Sequence, residues 1–121
     1  MPIFPIFFTA FVNILNRQPV DMSGAVAQYV RDTIASDKVV IFSKTYCPYC
    51  RMAKEQFDKL SQKFTAIELE TRDDGSEIQD VLGEMTGGRT VPRVFVNGQF
   101  IGGGTDVKKM YNDGSLERLL A

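Results

Sequence analysis

The chain has 121 residues, 44% of them hydrophobic, which is enough for one compact domain and leaves little for a second. Its 14 basic residues nearly balance 15 acidic ones, with no block of either sign, so nucleic acid is not the expected partner. Two cysteines and no histidine exclude, within one polypeptide, a zinc site of four cysteines or of two cysteines and two histidines.

Residues 1–21 open apolar and aromatic, as Met-Pro-Ile-Phe-Pro-Ile-Phe-Phe. The apolar run is shorter than the roughly 20 residues a membrane-spanning helix needs, so no stable membrane insertion is expected. No positive region precedes it, as a signal peptide would want, and Arg17 is its one arginine where a mitochondrial presequence would want several. It is read as a leader or tail, with the folded domain at residues 22–121.

From Ser23 helices alternate with strands. Val26, Tyr29, Val30, Thr33 and Ile34 recur at helical spacing behind Asp21 or Ser23 as cap, and Val39 to Phe42 reads as a buried strand. Cys47-Pro48-Tyr49-Cys50 follows that strand. Proline is favoured at the first helical position, which makes Cys47 the cap of a second helix, its sulfur facing unpaired N–H groups that favour thiolate over thiol. A Cys-x-x-Cys at such a junction reads as a thiol–disulfide site, and a lone pair of this kind suits a reducing compartment. In the helix itself Met52, Ala53, Phe57 and Leu60 form the apolar stripe, while Lys54, Glu55, Asp58 and Lys59 are expected to face water.

Thr65 to Glu70 alternates as a half-buried strand, implying a right-handed parallel crossover. Ser76 with Gln79 predicts a capping box, Ile78, Val81, Leu82 and Met85 an apolar helix face, and Gly87-Gly88 its end. Pro92 after Val91 suggests a cis peptide. Val94 to Val96, Asn97-Gly98 and Gln99 to Ile101 predict a hairpin with a type I′ turn. Thr105 is placed as cap of a helix through Met110, and Ser115 as cap of a last one. The expected architecture is α/β: a thioredoxin-like three-layer sandwich with a four-stranded mixed sheet, order 2-1-3-4, flanked by helices.

Three stretches together, Ser43-Lys44-Thr45-Tyr46-Cys47-Pro48-Tyr49-Cys50, Thr90-Val91-Pro92-Arg93-Val94-Phe95 and Gly102-Gly103-Gly104-Thr105-Asp106, closely resemble the dithiol glutaredoxins over nearly all of residues 23–121. The resemblance implies a glutathione-dependent oxidoreductase in which Cys47 is the nucleophile and Cys50 resolves protein disulfides. It also implies glutathione contacts at Lys44, Tyr49, Gln79, Thr90, Val91, Thr105 and Asp106, with Pro92 shaping the turn and Gly104, where the family often has cysteine or serine, contributing backbone. Such a pocket must meet two carboxylates, an amine and two peptide links. Lys44 suits one carboxylate, the Thr105 helix start the other, Asp106 the amine, and the Val91 backbone the strand-like pairing.

The partners implied are glutathione as cosubstrate, glutathionylated or disulfide-containing proteins, and glutathione reductase as indirect electron source. A monomer without metal is expected, in the cytoplasm or, through the leader, in mitochondria. The competing reading is a carrier dimer bridging a [2Fe-2S] cluster through Cys47 and two glutathiones. Pro48 disfavours it by resemblance, and visible absorbance after anaerobic purification distinguishes the two.

Overall fold

Residues 19–121 are described by the structure, a computed structural model, so most of the leader reading lies outside the described residues. The elements in chain order are α1 (Ala25–Ala35), β1 (Val39–Ser43), α2 (Pro48–Lys59), β2 (Thr65–Glu68), a 3₁₀ turn (Leu69–Thr71), α3 (Gly75–Thr86), β3 (Arg93–Val96), β4 (Gln99–Gly102), α4 (Gly104–Asp113) and α5 (Ser115–Leu120). The sheet runs β2-β1-β3-β4, with β1 parallel to β2 and antiparallel to β3, and β3 antiparallel to β4. This is the thioredoxin-like order expected from the sequence.

Every residue of β1 is buried, because both faces of the sheet are covered and a central strand must then be apolar throughout. Val40 and Phe42 join α1 and α3 through Ala27, Val30, Ile78 and Leu82, with Phe42 edge-on to Phe95 at 5.9 Å between ring centroids. Val39 and Ile41 join α2, α4 and α5 through Ala53, Phe57, Val107 and Leu116. Val20 and Met22 lie against the first of these clusters, so the chain already touches the core before α1 begins. Asn97 and Gly98 both take positive φ (51° and 81°), as the predicted I′ turn requires. Among the described residues no helix is long and apolar enough to cross a membrane.

Several element ends differ from expectation, most of them where a polar side chain finds a nearer partner. Gly24, not Asp21 or Ser23, precedes α1, and Asp21 instead accepts the Ser23 N–H (3.0 Å) and hydroxyl (2.7 Å) in a local turn. The Ser76–Gln79 capping box does not form. The helix starts two residues earlier behind Asp74, whose carboxylate pairs with Arg72 (2.8 Å), and the Gln79 amide donates to the Arg89 carbonyl (2.8 Å). Gly103 rather than Thr105 caps α4, which continues to Asp113. Gly114 in the left-handed region (φ 83°) closes α4 and caps α5 in place of Ser115, whose hydroxyl turns back to the Met110 carbonyl (3.3 Å). β2 ends at Glu68, since the Thr71 hydroxyl takes the Glu68 carbonyl (2.9 Å) and winds the chain into the 3₁₀ turn. Met85, placed on the apolar face of α3, is 40% exposed.

Gly75 opens α3 against that turn, where a Cβ would fall 2.3 Å from the Leu69 carbonyl oxygen. Backbone rather than a yielding side chain is the obstacle. Gly75→Ala is therefore expected to cost about 1–3 kcal/mol, lowering the melting temperature by about 4–12 °C in thermal unfolding followed by circular dichroism.

Candidate active site

The β1–α2 junction builds the site. Cys47 adopts extended φ/ψ (−87°, 120°), Pro48 occupies the first helical position, and the Cys50 N–H donates to Cys47 Sγ at 3.4 Å. The sulfur is thus the cap of α2, as the sequence suggests. Both cysteines are free; Cys47 is partly exposed and Cys50 is enclosed.

Across the cleft the Val91–Pro92 peptide is cis, and the Cys47 thiol points at the Val91 carbonyl, 3.8 Å away. α4 completes the wall. A Cβ on Gly104 would meet the Tyr49 carbonyl oxygen at 2.5 Å, so glycine lets α4 approach α2 more closely than a side chain allows, and a Cβ on Gly103 would rest 3.6 Å from the Pro92 carbonyl. Asp106 sits at the third position of α4 with one carboxylate oxygen accepting the Gly103 N–H (2.9 Å), leaving an exposed acid beside a helix start whose first N–H groups lack intrahelical acceptors. Cys47 thus faces Val91 while the start of α4, with Gly104, Thr105 and Asp106, abuts Tyr49 and lies beside Pro92, and Cys50 sits enclosed behind Cys47.

Lys44, Gln79 and Thr90 stand differently. Lys44 contributes its backbone N–H to Cys50 Sγ (3.4 Å), and its partly buried side chain makes no ion pair among the described residues. Gln79 braces the loop after α3 through Arg89. The Thr90 carbonyl and hydroxyl both accept from Arg93 (2.8 and 3.1 Å). Lys54, expected in water, is half-sheltered and paired with Glu68 at 2.7 Å, because the β2 end brings that carboxylate onto the same face of the sheet.

Sequence reasoning missed three supports. Ser43, fully buried at the end of β1, has a hydroxyl with no hydrogen-bond partner among the described residues, and its presence favours the Cys50 thiolate. Glu70 takes the Thr45 N–H (2.7 Å) and hydroxyl (3.2 Å), pinning the loop that leads into Cys47 from 25 residues away, a link no local pattern announces. Arg93 was visible in the Thr-Val-Pro-Arg stretch, yet only the fold turns it back onto Thr90. Burial, above all, pushes the Cys50 thiol up to about 11 from an ordinary 9.0; the Lys44 N–H and Ser43 hydroxyl oppose this, and the neighbouring Cys47 adds to it.

Residues 39–101 match the family model described as Glutaredoxin. The chain is 46% identical over 111 residues to Glutaredoxin-C4 of Arabidopsis thaliana, spanning 92% of this chain and 82% of the relative. Oxidised glutaredoxin 2 of Chlamydomonas reinhardtii superposes with a TM-score of 0.76 at 47% identity, over 78% of this chain and 90% of that one. A glutathione complex of buckwheat glutaredoxin superposes with a TM-score of 0.77 at 39% identity, over 86% and 92% of the respective chains.

Proposed function

Since the chain belongs to the glutaredoxin family and is a glutathione-dependent thiol oxidoreductase, we propose that it reduces protein–glutathione mixed disulfides through Cys47 alone and protein disulfides through Cys47 and Cys50 together. The observation that carries this reading is the Cys47 sulfur, capping α2 and facing the Val91 backbone across an open cleft.

In the first route the Cys47 thiolate attacks the glutathione sulfur of a mixed disulfide. The bond between that sulfur and the protein sulfur breaks, the protein leaves as thiolate and takes a proton, and Cys47 is glutathionylated. A second glutathione thiolate attacks the bound glutathione sulfur, releasing glutathione disulfide and the Cys47 thiolate. The departing sulfur meets the Cys50 N–H, a donor already in place before the step. In the second route the Cys47 thiolate attacks one sulfur of a protein disulfide, the S–S bond breaks with the other sulfur leaving as thiolate and taking a proton, and Cys47 is left in a mixed disulfide with the protein. Cys50 attacks the Cys47 sulfur, expels the substrate thiolate and leaves a Cys47–Cys50 bond, which two glutathiones reduce in turn. Glutathione reductase would restore the glutathione, and a lone Cys-x-x-Cys pair suits the reducing cytoplasm or mitochondrial matrix.

The glutathione is proposed to lie strand-like against Val91, beside Tyr49 and Thr90, with one carboxylate toward Lys44 and Gln79. The other carboxylate lies at the α4 start, by Gly104 and Thr105, and the amine by Asp106. Asp106→Asn keeps an acceptor for Gly103 N–H and removes the charge that pairs with the amine. It is expected to raise KM for a glutathione mixed disulfide about 5–20-fold with little change in kcat. Trapping the intermediate tests the reading directly: Cys50→Ser protein treated with glutathione disulfide should carry one glutathione on Cys47 by peptide mass spectrometry. Modification elsewhere, or none, would refute it.

A further inference from the structure

Arg93 is the first residue of β3, opposite Phe42, so its side chain emerges on the α3 side of the sheet beneath the loop that precedes Pro92. Instead of extending into water it folds back. Nε donates to the Thr90 carbonyl (2.8 Å), Nη2 to the Thr90 hydroxyl (3.1 Å), and the guanidinium lies over the Phe100 ring, 5.1 Å from its centroid. The space it fills is left by Gly88, where a Cβ would fall 2.0 Å from Nη2 and 3.0 Å from Cζ. Gly88 has no positive φ to account for it, so the close guanidinium is the reason glycine suits that position.

The consequence lies on the other side of the peptide. In a trans peptide the carbonyl and the following N–H point in opposite directions, and Val91–Pro92 is the chain's one cis bond among the described residues. With the Thr90 carbonyl held to Arg93, the Val91 N–H must point away from the guanidinium. No acceptor takes that N–H among the described residues. We infer that Arg93, seated in the Gly88 gap, is the positioning residue that aims the Val91 N–H into the cleft and presents the Thr90 hydroxyl hydrogen to the substrate. The arginine itself touches neither glutathione nor sulfur. This rests on the proposed reading of Thr90 and Val91 as glutathione contacts.

Gly88→Ala gives a clean probe, since the obstacle it meets is the far end of a flexible side chain, which can be displaced without breaking the backbone. The full chain and its variants would be assayed with the mixed disulfide of glutathione and 2-mercaptoethanol, alongside alkylation of Cys47 by iodoacetamide, which needs no glutathione contact. Arg93→Ala and Gly88→Ala should each raise KM about 5–10-fold, with kcat and alkylation unchanged, and Arg93→Lys, keeping one donor, should recover part of the loss. The double variant should be no worse than the poorer single, because both remove the same seat. Additive effects, or falls in alkylation that parallel KM, would overturn the inference in favour of a merely structural arginine, as would an unchanged KM in Arg93→Ala while Thr90→Val raises it. A Thr90→Val protein with unchanged KM would instead remove the glutathione reading on which the inference stands.

Discussion

Cys47→Ser is expected to abolish turnover of a glutathione mixed disulfide, falling at least about a thousandfold, while Cys50→Ser retains that activity and loses most reduction of protein disulfides. The asymmetry follows from geometry and burial. Cys47 is the sulfur a substrate can reach, it caps α2, and it faces Val91 across the opening. A serine hydroxyl there would accept the same cap hydrogen bond, so the fold should survive, but it could neither ionise usefully near neutral pH nor form a disulfide. Cys50 is fully enclosed, so its sulfur cannot meet an incoming protein disulfide and can act only on a sulfur already delivered to Cys47. Deglutathionylation never requires that second attack, because free glutathione supplies it. The measurement is a coupled assay with reduced glutathione, glutathione reductase and NADPH, run once with a glutathione mixed disulfide and once with a protein disulfide. Turnover surviving in Cys47→Ser would take the nucleophile's role from Cys47, and parallel loss of both activities in Cys50→Ser would end the division of labour.

What the sequence made legible is what local chemistry controls. Periodicity marked β1, the hydrophobic faces of α1, α2 and α3, and the hairpin. Proline after Cys47 marked the sulfur cap, and Val91-Pro92 the cis turn, all of which the fold contains. The helix starts went astray because several residues able to cap stood side by side, and the choice was made by partners outside the helix: Arg72 for Asp74, Arg89 for Gln79, Ser23 for Asp21. Lys54 was misplaced for the same reason, since Glu68 reaches it only once β2 pairs with β1. The cleft shows the division most clearly. Residue types named its wall, whereas the buttresses Ser43, Glu70 and Arg93 exist as such only through contacts across the sheet end.

Reduction of protein disulfides should accelerate by up to about tenfold per pH unit between about pH 7 and 9, while deglutathionylation in Cys50→Ser should show no such slope of its own from the resolving step. Cys50 attacks as thiolate, and burial pushes its thiol up to about 11, so near neutrality only a small fraction is ionised and each unit of pH multiplies that fraction about tenfold. Once Cys47 is tied in a mixed disulfide its charge no longer opposes Cys50, yet burial, the largest cause, persists. Ser43 gives the control. Its buried hydroxyl has no hydrogen-bond partner in the resting fold and favours the Cys50 thiolate, so Ser43→Ala should slow resolution about 3–10-fold at neutral pH while leaving the Cys47 route intact. The same shift acts on folding. The folded state favours the neutral thiol, so its contribution is fully present below about pH 9 and is lost as pH rises toward about 11, costing the reduced protein up to about 2 kcal/mol that Cys50→Ser does not lose. Single-turnover resolution and urea unfolding across that range read both effects. A flat resolution rate from pH 7 to 9 would mean that Cys50 loses its proton by a path other than simple ionisation in a dry pocket, and wild-type and Cys50→Ser unfolding curves that fall together above pH 9 would show that burial does not hold the thiol neutral.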